Sequence, residues 1–231
     1  MCVRSCAGKF CFLRGGVEGG AYLLKLERCF LCGVQEAQKI HHGVRGSEMT
    51  DVLKCTGCGL VRLSEIVDDV DVFYASSGMR MDETNDLEKI RLASRGDDER
   101  RFRYTERMIE GKNVIDFGCG DGGYLTRAAR VAASVIGVEL EEAMRKALTA
   151  EGLRCFASIQ EAGTADIITL FHVLEHLEDP ISYLEDFRSH LSPDGMIIIE
   201  VPNADDALLS LYQCEAFADF TYWICHIYLY T

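Results

Sequence analysis

A chain of 231 residues has room for one full domain and a small module, and a hydrophobic content of 48% supplies a core. Asp plus Glu number 37 against 24 Lys plus Arg, a formal net charge of −13; phosphate neutralisation needs a basic face, so DNA and RNA are disfavoured as partners and a small-molecule substrate is favoured. Lys9 and Arg14 interrupt the apolar residues around Phe10 to Leu13 and no apolar run approaches membrane-spanning length, so neither signal peptide nor membrane partner is expected and the reading is cytoplasmic.

Residues 1–26 hold Cys2, Cys6 and Cys11 at irregular spacing and a Gly-Gly-x-x-Gly-Gly run from Gly15 to Gly20, which predicts a flexible lead-in. Cys29-Phe-Leu-Cys32-Gly33 and Cys55-Thr-Gly-Cys58-Gly59 come next, separated by a stretch containing His41 and His42. Eleven cysteines would suggest disulfides in a small secreted protein, but four of them fall into these two pairs. Each pair bends through a knuckle that aims two thiolates at one point, and two knuckles complete a tetrahedral shell of sulfur. Cys29, Cys32, Cys55 and Cys58 are therefore expected to hold a structural Zn2+ in a zinc ribbon over residues 27–64, with no position left open for catalysis.

Residues 65–110 read as a connector ending in a helix. From Asp97 to Glu110, Phe102, Thr105, Met108 and Ile109 recur at helical spacing, which predicts an amphipathic helix with the Asp-Asp-Glu-Arg-Arg run on a solvated face. The stretch Asn113–Tyr124 organises the rest of the chain. Val114 and Ile115 suit a buried parallel strand, and they run directly into Gly118, Gly120, Gly122 and Gly123, which predicts strand, tight turn, then helix. Gly118, Gly120 and Gly123 also satisfy the dinucleotide pattern G-x-G-x-x-G, so an NAD-type coenzyme is one reading. Asp116 and Asp121 oppose it, because a pyrophosphate on the helix N-terminus would meet two negative charges. A ligand bearing cationic groups suits those acids.

Asp116, Gly118, Gly120 and Gly122 match D/E-x-G-x-G-x-G, and here the sequence resembles the class I S-adenosylmethionine-dependent methyltransferases. The resemblance implies an α/β fold with a Rossmann-like doubly wound parallel sheet, and a cofactor, S-adenosylmethionine, held around Asp116, Gly118, Cys119, Gly120 and Gly122. Val135 to Val138 reads as the second strand, closed by Glu139, an acid placed to accept from ribose hydroxyls beside Leu140. Glu141 to Glu151 reads as a helix, Leu153 to Ala157 as a short strand and Asp166 to Phe171 as the fourth strand.

His172-Val-Leu-Glu175-His176 contains the zinc-protease-like H-x-x-E-H, but it comes directly after a strand whereas those ligands need a continuous helix. With Asp179-Pro180 after it, the segment resembles the fourth-strand motif of small-molecule methyltransferases, which lines the cofactor and substrate cleft and adds Phe171 and His172 to the cofactor contacts. Pro180 to about Leu191 reads as a helix, Ser192-Pro-Asp-Gly195 as a turn and Met196 to Val201 as the fifth strand. The last thirty residues predict a helix near Asp205 to Tyr212 and an aromatic run from Phe217 to Tyr230. Tyr222-x-x-x-His226 resembles the histidine segment of sugar C-methyltransferases.

The expected organisation is thus a lead-in (1–26), a zinc ribbon (27–64), a connector and helix (65–110) and a methyltransferase domain (111–231). The last is read as incomplete, since there is room for at most one of the family's sixth and seventh strands. A zinc module before this core resembles enzymes that methylate sugar nucleotides or cell-surface carbohydrate precursors. The base candidates are His172, first by position, then Glu175, His176 and His226. An RNA methyltransferase, an NAD-dependent oxidoreductase and a non-catalytic cofactor-binding module are the rival readings. The sequence sets no oligomeric state.

Overall fold

The computed structural model describes residues 14–15, 23–25, 27–67 and 87–231. The chain divides into two units, residues 1–70 with 201–231 and residues 71–200. In the first, β1 (Arg14–Gly15), β2 (Leu23–Lys25) and β6 (Glu65–Val67) form a three-stranded antiparallel sheet in the order β1-β2-β6. These strand residues are the described part of the lead-in; Cys2, Cys6, Cys11 and the run from Gly16 to Gly20 lie outside the described residues. A hairpin of β3 (Ala37–Val44) and β4 (Ser47–Cys55) turns at Arg45 and Gly46, where a φ of 95° calls for glycine, and β5 (Val61–Leu63) pairs with β4.

The second unit opens with α1 (Leu87–Ile109), which begins ten residues before the expected start. Then come β7 (Asn113–Phe117), α2 (Gly123–Ala128), β8 (Ser134–Val138), α3 (Glu142–Ala150), β9 (Cys155–Phe156), α4 (Ile159–Ala162), β10 (Ala165–Phe171), α5 (Pro180–Ser189) and β11 (Leu191–Glu200). The strands form one parallel sheet in the order β11-β10-β7-β8-β9. The order reverses between β7 and β10, as in a doubly wound Rossmann-like sheet, and ligands bind such sheets at the carboxyl ends of the strands flanking that reversal.

Alternation along the strands explains why both faces are covered. Val114 and Ile167 point to a cluster with Ile109, Tyr124 and Ala128, whereas Ile115, Ile168 and Leu170 point to one with Ile159, Ala162 and Phe187. Ser192 to Gly195, expected as a free turn, lies within β11. Ala165 pairs with Leu191 and Ile167 with Met196, so the strand absorbs the excess residues as an irregularity beside β10.

Residues 201–231 hold α6 (Ala207–Ser210), shorter than the helix expected near 205–212, then α7 (Glu215–Thr221) and β12 (Tyr228–Leu229). β12 pairs antiparallel with β5, giving the sheet order β12-β5-β4-β3. The segment read from sequence as the end of the methyltransferase domain thus groups with the cysteine-bearing unit. No helix among the described residues is long and apolar enough to cross a membrane.

Candidate functional site

In the first unit the two C-x-x-C pairs fold alike. The Cys29 amide donates to Val34 O (3.0 Å) and Gly33 N to Cys29 O (2.8 Å); the Cys55 amide donates to Leu60 O (2.8 Å) and Gly59 N to Cys55 O (3.0 Å). Gly33 and Gly59 take φ of 73° and 82°, the left-handed turn that closes each knuckle. The sulfurs of Cys29 and Cys58, and of Cys32 and Cys55, lie 3.5 Å apart, and all four fall within 4.8 Å of one another. A tetrahedral zinc with Zn–S of about 2.3 Å sets its sulfurs about 3.8 Å apart, so the donor set fits that ion. Backbone amides of Cys58 and Gly57 favour the Cys55 thiolate, held at about 6, while burial pushes the Cys29 thiol up to about 12. To be thiolates together, four sulfurs this close would need a cation between them.

The second unit builds its site on the turn after β7. Gly118, Gly120 and Gly122 have φ of 71°, 52° and 71°. A Cβ at Gly118 would stand 2.5 Å from Val173 Cγ2, and one at Gly122 2.5 Å from Leu148 Cδ2, whereas one at Gly120 meets nothing within 4 Å among the described residues. The turn is packed from beneath at two glycines and open at the third. Glu139 ties it to the end of β8, with Oε2 accepting from Gly120 N (3.0 Å) and Oε1 from Glu141 N (2.9 Å). Cys119 is buried, with its sulfur 3.8 Å from that of Cys155, and Leu140 is exposed beside Glu139.

Asp116 stands in register with Thr169 of β10, across the reversal of strand order, and its Oδ1 accepts from the Thr169 hydroxyl at 2.7 Å. It is 3% exposed, and burial pushes its carboxyl up to about 7 even though the Thr169 bond acts the other way. At the end of β10, Phe171 meets Tyr124 edge-on at 4.6 Å and lies 5.2 Å from the Arg101 guanidinium.

His172 lies between two carboxylates. Nδ1 lies 3.1 Å from Glu175 Oε1 and Nε2 3.3 Å from Glu200 Oε1, so carboxylates occupy both ring nitrogens. Bonds from Glu175 and then Glu200 outweigh burial and raise the imidazole to about 9. A ring that donates from both nitrogens has no lone pair to take a proton. Glu175 and His176 lie in a 3-10 turn, Leu174–His176; both are buried, with His176 Nε2 3.9 Å from Glu175 Oε1. Glu175 Oε2 is buried without a hydrogen-bond partner among the described residues. His226 belongs to the first unit, where its Nδ1 donates to Thr221 O at 2.7 Å.

Sequence reasoning missed the polar side of α1. Ser94 donates to Asp98 (3.1 Å) and Asp121 (2.8 Å), Arg91 donates to Asp121 O, and Thr105 bonds the Tyr124 hydroxyl at 2.9 Å. Asp98 is 4% exposed, with burial and then Asp121 raising its carboxyl, so the run expected to face solvent is partly interior. The signal was available: Ser94, Asp98, Arg101 and Thr105 recur at helical spacing. Glu200 was also missed, though like Glu139 it is an acid at the carboxyl end of a strand.

A family model described as a methyltransferase domain matches residues 92–230, the span that carries this geometry. Two relatives are named ubiquinone biosynthesis O-methyltransferase. The one from Haemophilus ducreyi is 32% identical, aligned over 45% of this chain and 52% of its own, and the one from Actinobacillus pleuropneumoniae is 36% identical over 40% and 47%. The chain spans about half the length of these curated relatives. Among solved structures, the plantazolicin methyltransferase BpumL in complex with SAH aligns with a TM-score of 0.47 and 19% identity, over 69% of each chain. An S-adenosylmethionine dependent methyltransferase from Mesorhizobium loti aligns with a TM-score of 0.38 and 22% identity, over 45% of this chain and 53% of its own.

Proposed function

Because the chain belongs to the methyltransferase-domain family and has the class I S-adenosylmethionine-dependent methyltransferase fold, we propose that it binds S-adenosylmethionine at the turn after β7 and transfers the methyl group to a small-molecule acceptor. The observation that carries this reading is the sign of charge at the reversal of strand order. Asp116 and Glu139 end neighbouring strands beside the open face of Gly120, which suits a ligand with a cationic ammonium and sulfonium and opposes a pyrophosphate. Glu139 keeps lone pairs for ribose hydroxyls beyond its two backbone bonds.

Methyl transfer asks the protein for alignment, exclusion of water and, for a weakly acidic acceptor, a base. Among His172, Glu175, His176 and His226, Glu175 is arranged as that base: Oε1 is held by His172 and Oε2 has acceptor capacity to spare. The names of the relatives favour an oxygen acceptor. The narrower acceptor, a sugar nucleotide or carbohydrate precursor, is supported by the order of modules in the sequence. Cys29, Cys32, Cys55 and Cys58 are the ligands of a structural zinc in this reading, and the protein works on small molecules without DNA or RNA.

Calorimetry with S-adenosylmethionine and NAD, followed by labelled-methyl transfer to a panel of catechols, nucleotide sugars, polyketide-like acids and RNA, tests the reading. Saturable binding of the sulfonium cofactor and label in one small-molecule class are expected. Binding of NAD alone, or label only in RNA, overturns it.

A further inference from the structure

Glu200 closes β11 at the same end of the sheet as Asp116 and Phe171, and cofactor binding leaves it without a task. Its carboxylate is held by three side chains. Arg100 reaches Oε2 with Nη1 (2.7 Å) and Oε1 with Nη2 (3.0 Å), and Arg101 Nε reaches Oε1 at 2.8 Å. His172 Nε2 completes the set at 3.3 Å. Burial would raise this carboxyl, but the bonds from His172, Arg100 and Arg101 together hold it far below the usual carboxylate range.

The backbone records the same connection. His172 takes φ of 55°, a left-handed conformation that is strained for a non-glycine residue. Its amide donates to Glu200 O at 2.8 Å, so both main chain and side chain of one strand end fix the other. The ring therefore has one orientation, with Nδ1 delivered to Glu175 Oε1.

We propose that Glu200, anchored by Arg100 and Arg101, is a positioning residue for methyl transfer: it orients His172 so that the ring holds Glu175 with Oε2 presented as the proton acceptor. The inference rests on the proposed role of Glu175 as the base. The groups that set the charge of His172 are Glu175 and His176 from the 3-10 turn, Glu200 from β11, and Arg100 and Arg101 from α1, whose own neighbours are Asp97 and Asp98. No electron moves to or from the protein; a proton passes from acceptor to Glu175 as the methyl–sulfur bond breaks and the methyl–acceptor bond forms.

The test is Glu200→Gln, which keeps shape and removes charge, with Arg100→Gln as a milder partner should the first variant fold poorly. Imidazole nitrogen shifts followed by NMR against pH, in the full chain without substrate, report His172 directly. Its midpoint is expected to fall by at least one unit in E200Q, a tenfold loss of proton affinity, and by less in R100Q. At saturating cofactor and with the panel acceptor that wild type turns over fastest, kcat is expected to fall about tenfold while calorimetric cofactor affinity stays within twofold. An unchanged midpoint overturns the inference, and so does a shifted midpoint with an unchanged rate. Wild type that methylates no panel member defeats the functional reading instead, and the midpoint still decides whether Glu200 holds His172.

Discussion

Two kinds of turn in this protein are built on left-handed glycines, and they use them for different reasons. In the cysteine knuckles, a Cβ at Gly33 would meet nothing among the described residues, and one at Gly59 only Lys54 Cε at 3.9 Å. Glycine is needed there for φ alone. In the turn after β7, Gly118 and Gly122 combine positive φ with side chains 2.5 Å from where a Cβ would stand. The knuckles are open scaffolding around four cysteine sulfurs, whereas the glycine turn rests on the packed core of the sheet. What holds a loop, metal or packing, decides what breaks it.

Removing metal should separate the regions most. Zinc in small cysteine modules contributes about 10–16 kcal/mol of apparent binding energy, so chelation is expected to unfold the segment carrying Cys29 to Cys58 and leave the parallel sheet intact. Elemental analysis should find one zinc per chain, and proteolysis after chelation should cut the first unit only. Preserved hairpin protection in metal-free protein would dissolve the contrast.

Gly118→Ala and Gly59→Ala sharpen it next. At Gly59 only the left-handed backbone is penalised, about 1–2 kcal/mol, and Asn, which tolerates that conformation, should restore most of it. At Gly118 the crowding against Val173 adds about 1–3 kcal/mol, and Asn should rescue nothing. Denaturant midpoints of the four variants make the comparison, and equal losses at the two sites would refute it.

Glu139→Ala removes a tie to Gly120 and a ribose acceptor together. A loss of about 1.5–3 kcal/mol, roughly tenfold to more than a hundredfold in S-adenosylmethionine affinity, is expected by calorimetry. Undiminished affinity would take Glu139 out of the site.

The smallest effect concerns Asp116, raised from 3.8 to about 7 in the cofactor-free fold. A group raised on folding contributes stability that is fully present below the unfolded value and lost as pH rises through about 7. A cationic ligand lowers that value, so binding near pH 7 should release a fraction of a proton. Calorimetry in two buffers of different ionisation enthalpy measures it, and zero release would place the cation away from Asp116.

Much of the sheet was legible because its signals are local. Val114-Ile115, Val135 to Val138 and Ile167 to Phe171 are short, mostly apolar and rich in β-branched residues, with acids beside them. The turn residues were legible for the same reason, since a left-handed φ names its residue type. What escaped was relational. That Asp98 would be interior depends on how α1 packs, and that Glu200 would reach His172 depends on the register of β10 with β11; no window of sequence contains either. The surroundings of His172 were not legible either, because position suggested only proximity to the acceptor, while the two carboxylates beside its ring come from three and twenty-eight residues away.

The twin knuckles have a topological consequence. Cys32 and Cys55 are 23 residues apart, and the hairpin of β3 and β4 occupies the interval. An ion shared between the knuckles acts as a removable cross-link across that interval, narrowing the unfolded ensemble by about 3–4 kcal/mol as a covalent bridge of similar span would. Held by such an ion, the hairpin would fold as a ring with its ends joined, and removing the metal would reopen it.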